Sequence, residues 1–431
     1  MTIDIAVQGH MRSTPLRVLL TGGRAPVTLD LARMLKRTGH KVYVAESMKH
    51  HLCSASSAVD RCLAVPPPRQ ERAAYLEALE SLVKFHQIDV LIPMCEEIFH
   101  VARGAERLRE HCRVLAPAME QLHRLHHKHE FILLARSLGL PVPETRLIES
   151  RRQWIKEDAD LQAKGHWVWK PVYSRFASKV RLPKMRSGGN RRGAWSMPLH
   201  DLSQTRHSYR NEPPEGDRLS PASPWVAQSY IEGRGVCTYS IAHEGLVVAH
   251  AAYENRFRTG RAGASVHFEH LEHEQALRWV RRFVEGTNYS GQISFDFMET
   301  PDGQVFAIEC NPRATSGIHL FGSGEELVSA LLAPERLASE GRMVVPEPDA
   351  KAMLLLPMLG VGLKYAWTPS RLRKWAHAWK GARDVVYARG DGRPWLQQPR
   401  IVLDAWRLAR NYRVSLTEAL THDIEWNGEQ Q

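Results

Sequence analysis

Between residues 17 and 116 short apolar runs alternate with helix-patterned segments, and this alternation restricts the fold more than any other feature. Arg17-Val18-Leu19-Leu20-Thr21 is an apolar run stopped by Gly22-Gly23. Pro26 to Thr38 has helical periodicity through Leu29, Leu31 and Leu35, and Gly39 stands where a helix stops. Lys41–Ala45 predicts the next strand, Glu71–His86 a helix, Asp89–Pro93 a strand and Ile98–His111 a helix. Apolar strands separated by helices belong to a parallel sheet covered on both faces. The turn Thr21-Gly22-Gly23-Arg24 lacks the GxGxxG spacing, so it lends little to a dinucleotide site and reads as structural or substrate-facing.

A second signature lies downstream. Gly291–Phe297 and Ile308–Arg313 predict two neighbouring strands, joined by Glu299-Thr300-Pro301-Asp302-Gly303-Gln304 with its Asp-Gly turn signal. Asp296 comes from the first strand and Glu309 and Asn311 from the second; with side chains alternating, Glu309, Asn311 and Arg313 share a face. Two carboxylates, an amide oxygen and a guanidinium describe a magnesium–phosphate site. Hard oxygens hold the ion, which keeps room for water and phosphate, and arginine neutralises anionic charge. The plainer reading is a polar hairpin with solvated acids.

Bulk properties set the class. At 431 residues the chain has material for two or three domains, and its 43% hydrophobic and 24% charged content is that of a globular protein. No apolar run reaches membrane-spanning length, and Met1 to Pro15 has no signal-type apolar core. Six scattered cysteines (Cys53, Cys62, Cys95, Cys112, Cys237, Cys310) show no CxxC spacing, which favours reduced thiols and a cytoplasmic location. A net charge of +11 fits attraction of anionic substrates or simple solubility; no nucleic-acid-binding module is recognisable, so no nucleic-acid partner is expected.

Further along, Met119 to Leu138 predicts one helix carrying His123, His126, His127, Lys128 and His129, read as exposed histidines, since no third ligand accompanies His123 and His127. His166–Pro171 predicts a strand ending near Lys170, followed by the polar stretch Tyr173–Val180 with Ser174. Residues 184–224, rich in Arg, Gly, Ser and Pro, read as a mobile insertion. Gln228-Ser229-Tyr230-Ile231-Glu232-Gly233 forms a hinge before strands through Tyr239–Ile241 and Leu246–Ala251, and Leu271–Gly286 predicts a helix. Near the C-terminus Leu372, Trp375, Trp379, Ala382 and Val386 repeat at helical spacing with basic residues on the other faces. Packing of these tryptophans on the protein's own body is preferred over peripheral contact with an anionic membrane. Ile401–Arg410 and Ser415–Thr421 predict short helices.

Taken in order, Lys128, Lys170, the Gln228–Gly233 hinge, Asp296 and Glu309-x-Asn311-x-Arg313 resemble the ATP-grasp superfamily, in particular its carbamoyl-phosphate synthase large-subunit-like branch. The resemblance covers roughly residues 17 to 330, and Ile308–Gly317 is its most specific part. It implies mixed α/β and α+β architecture. The expected divisions are an N-terminal tail (1–16), a doubly wound pre-ATP-grasp domain (17–118), an ATP-grasp domain (119–340, with a lid at about 140–230) and a mostly helical C-terminal extension (341–431). By motif position Lys128, Lys170 and Ser174 would contact ATP phosphates, and Gln228 and Ile231 would flank adenine. Asp296, Glu309 and Asn311 would hold Mg2+, with Mn2+ as a substitute, and Arg313 with Lys170 would be catalytic. Substrate contacts are expected from Tyr253, Arg256, Arg258, Ser316 and His319, and from Glu96 in the Cys95-Glu96-Glu97 turn, where parallel sheets bind ligands.

The family chemistry joins a small-molecule carboxylate to an amine through an acyl phosphate. Two departures stand out: Gly235 lies near where a ribose-binding glutamate is usual, leaving Glu232 as substitute, and the Ser174–Lys179 loop is not glycine-rich. The competing functions are carbamoyl-phosphate-type chemistry on bicarbonate and a catalytically inactive nucleotide-binding scaffold. Homodimerisation stays open.

Overall fold

The computed structural model describes residues 14–173, 179–183, 219–254, 257–258, 265–365 and 368–428. Ser174, Arg256 and residues 184–218 of the expected insertion lie outside them. The first hundred residues form a five-stranded parallel sheet: β1 (Arg17–Thr21), β2 (Lys41–Glu46), β3 (Arg61–Ala64), β4 (Val90–Ile92) and β5 (Arg113–Val114), in spatial order β3-β2-β1-β4-β5. Strand alternation divides its apolar residues between two cores. Val18, Leu20, Val42 and Val44 pack with Leu31 and Leu35 of the helix Pro26–Arg37. Leu19, Ala45 and Leu91 pack with Tyr75, Leu79 and Val83 of the helix Arg72–His86.

Two predicted helices are each broken in two. Residues 98–111 yield Glu97–Arg103 and Ala105–Arg109, interrupted at Gly104, where a Cβ would stand 2.6 Å from Leu76. The Met119–Leu138 helix divides into Met119–His126 and Lys128–Ser137, because the His127 ring caps the second piece by accepting from Glu130 N at 3.2 Å. Exposure of these histidines was the expectation; His126 and His127 are instead buried, and Tyr173 Oη lies 2.7 Å from His123 Nε2.

A three-stranded antiparallel sheet follows, β6 (Thr145–Ile148), β7 (Trp167–Pro171) and β8 (Trp225–Ser229), ordered β6-β8-β7. Its small core is aromatic, with Trp154 and Trp169 stacked at 4.0 Å and Trp225 edge-on to Trp154. Then come β9 (Arg234–His243), β10 (Leu246–Glu254), β11 (His267–Glu269), β12 (Gly291–Glu299), β13 (Val305–Asn311), β14 (Lys351–Met353) and β15 (Arg383–Asp384). The largest antiparallel sheet is β10-β9-β12-β13, and β11-β14-β15 form a small mixed one, β14 and β15 running parallel. Phe295 and Phe297 of β12 turn one face of the large sheet onto Trp279 and Phe283 of the helix Glu274–Gly286 and onto Phe131. Residues 294, 296, 309 and 311 therefore line the opposite face.

The C-terminal helix expected to run through Val386 stops at Trp379, since Gly381 takes a φ of 80°, and Arg383–Asp384 becomes β15. Trp375 and Trp379 pack beside Met353, Met358 and Phe257, with Trp375 Nε1 donating to Met358 O at 3.2 Å. Among the described residues no helix is long and apolar enough to cross a membrane.

Candidate active site

The site begins as a row of cross-strand partners. Tyr253 pairs with Cys237, Cys237 with Asp296, and Asp296 with Glu309, so one residue from each of β10, β9, β12 and β13 lies side by side on one face. Ser294 and Asn311 form the next pair. Cys237 Sγ donates to Asp296 Oδ1 at 2.8 Å. Burial pushes the Asp296 carboxyl above its ordinary range, and the Glu309 carboxylate beside it pushes the same way. A cation is what this pair demands electrostatically.

A bulge then links the two antiparallel sheets. The register passes from Asp296↔Glu309 to Phe297↔Ala307, which leaves Ile308 over as the extra residue. Its carbonyl accepts from Lys170 Nζ at 3.1 Å. The ammonium also donates to Gln228 Oε1 at 2.9 Å, across the β7–β8 diagonal, and Gln228 Nε2 donates to Thr145 Oγ1 at 3.1 Å. Lys170 is thus held by two neutral acceptors. Burial pulls its pKa down to about 8; nearby Lys128 adds to the fall and Glu309 counters it.

Lys128 opens the helix Lys128–Ser137 and is 2% exposed. Its Nζ donates to Val172 O at 3.2 Å and stands 3.7 Å from Glu309 Oε1. On the far side, Arg313 Nη2 donates to Asn311 Oδ1 at 3.0 Å and lies 3.8 Å from Glu96 Oε1. Two lysines and an arginine therefore ring a pair of carboxylates and an amide.

The remaining expected residues fall into three groups. Arg258 lies over the hinge end of β9, where a Cβ at Gly235 would come 2.7 Å from its Nη2, and its charge steadies the Asp296 carboxylate. Ser316 opens the 3-10 turn Ser316–Leu320 and is half-buried; Ile231 is half-buried and Glu232 exposed on the connection between β8 and β9. Gly233 is required there, because a Cβ would stand 2.0 Å from the Glu299 carbonyl oxygen. Two side chains point elsewhere than expected. Gln228 turns its amide inward onto Lys170 instead of leaving it open to a base. His319 is buried with its Nδ1 2.7 Å from Asp30 Oδ2, and Asp30 also accepts from Arg383. The buried Asp30–His319 pair, with the partly exposed Arg383 on its outer side, ties the 3-10 turn to the helix Pro26–Arg37, so His319 serves as a structural strut.

Thr145 and Cys237 were missed from sequence. The strand period through Arg234–His243 could have placed Cys237 on the site face; nothing in the local sequence marks Thr145. Among the described residues no group of three His, Cys, Asp or Glu is gathered for a metal. The donor set here is two carboxylates and an amide oxygen, which fits a hard ion completing its shell with phosphate oxygens and water.

No protein-family model matches the chain. Solved structures do resemble it. An N5-carboxyaminoimidazole synthetase from Staphylococcus aureus, complexed with ADP, aligns over 73% of this chain and 77% of its own at 15% identity, with a TM-score of 0.54. A biotin carboxylase from Campylobacter jejuni, in complex with β,γ-ATP, aligns over 77% and 72% at 15% identity and a TM-score of 0.53. An L-amino acid ligase from Bacillus licheniformis aligns over 73% and 70% at 16% identity and a TM-score of 0.50. With the two antiparallel sheets facing each other across Lys170 and Ile308, and the parallel sheet preceding them, the chain has the ATP-grasp fold.

Proposed function

We propose that this protein is an ATP- and Mg2+-dependent ligase that activates a small-molecule carboxylate as an acyl phosphate and couples it to an amine. The observation that carries this reading is the in-register Asp296–Glu309 pair, with Lys170 reaching it from the facing sheet. Similarity to structures described as an amino acid ligase and as carboxylating enzymes supports it. Asp296, Glu309 and Asn311 would hold Mg2+, with Mn2+ as a substitute; the ion supplies neutralisation of phosphate charge when bound.

The chain's own groups do the rest. Lys128 and Lys170 act as point charges on the ATP phosphates, with Ser174 assigned to the same phosphates. The hinge at Ile231 and Glu232 is assigned to the base and ribose, while Gln228, turned inward, holds Lys170 in place. Arg313 faces the phosphoryl group as it passes to the acid, so that charge spreading over its oxygens meets a fixed cation. Phosphorylation turns the carboxyl carbon, unreactive as an anion, into an electrophile; the amine attacks and inorganic phosphate leaves. Arg256, Arg258 and Ser316 are assigned to the acid and amine, whereas Glu96, expected among them, is fully buried against Trp426 N and Arg313 and acts behind the site. The reading carries with it the division at 17–118, 119–340 and 341–431, and a cytoplasmic protein without a nucleic-acid partner.

The test is ADP and phosphate release with Mg2+ and ATP, screened against pools of carboxylates and amines. Turnover that needs both an acid and an amine supports the reading. Turnover with bicarbonate as the only acid transfers it to carboxylation chemistry. ATP binding with no stimulation by any pool would leave a nucleotide-binding scaffold instead.

A further inference from the structure

The parallel sheet has its strand-order reversal between β1 and β4, and ligands of open α/β sheets bind in the crevice at the carboxyl ends of such strands. Here the carboxyl ends of β1, β2 and β4 and the turns after them supply Gly22–Arg24, Glu46–Ser47 and Cys95–Glu97. That crevice is already filled, by the protein's own C-terminal segment.

The filling is built from specific contacts. A capping box at Ser415 and Glu418 starts the short helix Leu416–Ala419. Asp423 then accepts from Arg24 Nη1 at 2.7 Å, Arg24 Nη2 at 2.8 Å and Ser47 Oγ at 2.5 Å, and Arg24 is also paired with Glu46. Ile424 and Trp426 are buried. The Trp426 ring stacks on Phe99 at 6.0 Å and 15°, with the Arg103 guanidinium 4.7 Å from its centroid and Arg72 at 5.4 Å. Gly428 reaches the Tyr173 ring, where a Cβ would come within 2.3 Å.

One contact gives this segment access to the chemistry. Trp426 N donates to Glu96 Oε2 at 3.2 Å, while Glu96 Oε1 faces Arg313 Nη2 at 3.8 Å. Glu96 is fully buried, with one oxygen hydrogen-bonded to the segment and the other turned to the Arg313 charge. Arg313 in turn holds Asn311 Oδ1.

We propose that the segment Leu416–Gly428 is a positioning element of the active site: seated in the crevice as a built-in ligand, it fixes Glu96 through the Trp426 backbone, and Glu96 fixes Arg313 for the transferred phosphoryl group. The inference rests on the ligase reading, since Arg313 has a phosphoryl group to meet only there. It also explains why Arg24 cannot take a substrate anion: Asp423 and Glu46 already neutralise it.

The probe is MgADP with and without aluminium fluoride, which with ADP mimics a phosphoryl group in transfer; both affinities are read by a fluorescent ADP analogue. The wild-type protein is expected to bind MgADP more tightly when aluminium fluoride is added. Trp426→Ala is expected to lose at least tenfold of that enhancement while its MgADP affinity stays within twofold. Asp423→Asn, near-isosteric and at the rim, should lose part of it, and carries the test if the tryptophan variant does not fold. In a Glu96→Gln background Trp426→Ala should cost nothing further, because both act along one chain of contacts. Retained enhancement in the variants, equal loss of both affinities, or additive losses with Glu96→Gln would each overturn the inference and leave the ligase reading standing. A wild-type protein that does not bind MgADP would remove both.

Discussion

Replacing Asp296 by Asn separates a metal site from a polar hairpin, because the two predict opposite signs. Asp296 and Glu309 are direct cross-strand partners, and like charges so placed repel. At a separation of about 5 Å and an effective dielectric near 20 the repulsion is about 3 kcal/mol. Arg258 and Arg313, whose charges favour the ionised Asp296, offset part of it, which leaves about 1–2 kcal/mol to be released. Asn keeps an oxygen for the Cys237 thiol, so little packing is lost. The metal-free variant should therefore be more stable than the wild type by about 1–2 kcal/mol, a rise in Tm of a few degrees at most.

The pH dependence fixes the origin of that gain. Burial and Glu309 raise the folded-state pKa of Asp296 above its ordinary 3.8. A raised carboxyl pKa means ionisation is dearer in the folded state, so the penalty is complete above the folded value and absent below the unfolded one. The advantage of Asn should hold at pH 7–8 and fade towards pH 4. With 10 mM MgCl2 and ATP the order should reverse, since only the wild type gains binding free energy. Thermal melts by circular dichroism across pH, with and without MgATP, measure all of this. A variant less stable than wild type at pH 7.5 without metal, or one that keeps the full MgATP shift, would refute the reasoning.

Other expectations follow from the same contacts. Because Lys170 is held down to about 8 and ATP phosphates favour its charged form, MgATP binding should take up protons above that pH and weaken as pH rises from 7 to 9. Calorimetry in buffers of different ionisation enthalpy counts the protons, and Lys170→Arg should abolish the effect; no uptake at pH 8.5 counts against the buried ammonium. Gln228→Leu removes the acceptor at 2.9 Å from Lys170 and the partner of Thr145, and should cost about 2–4 kcal/mol in urea unfolding together with a loss of MgATP affinity. Arg383→Met leaves the buried Asp30 with His319 alone and should destabilise by about 2–3 kcal/mol, discounted for the partly exposed guanidinium, with MgATP affinity unchanged. Lost nucleotide binding there would return His319 to the substrate site.

How far the sequence reached depends on the range of the interaction involved. The inner strands β2, β1 and β4 and the helices beside them followed from apolar period, because burial on both faces leaves a continuous signature; the edge strands β3, mostly exposed, and β5, only two residues long, carry none. The Asp296/Glu309/Asn311 row was legible because a two-residue period fixes the face of every second side chain. Tertiary contacts decided what local pattern could not. The helix break at Gly104 depends on Leu76 from another helix, whereas the break at His127 is a local cap made by its own ring. The end of the C-terminal helix at Trp379 did have a local mark, Gly381, but the strand that follows it depends on β15 finding a place beside β14.

The misplaced side chains have the same origin. His319 lies next to a sequence motif that points at substrate, yet Asp30, 289 residues away, takes its ring. Gln228 is in a hinge by spacing, but the diagonal across β7 and β8 sends its amide to Lys170. The bulge at Ile308, which gives Lys170 its second acceptor, has no mark in Ala307-Ile308-Glu309. Nor does anything local to Asp423 or Trp426 announce that the last described residues close the crevice over β1 and β4.

The central claim is that Glu309 and its neighbours form a magnesium-dependent ATP site, and isothermal titration of ATP into the protein with and without Mg2+ tests it most directly. The expected result is one site per chain that needs Mg2+, and that Glu309→Gln weakens at least a hundredfold while the circular dichroism spectrum is unchanged. ATP binding of equal strength without Mg2+, or undiminished in Glu309→Gln, would contradict the assignment.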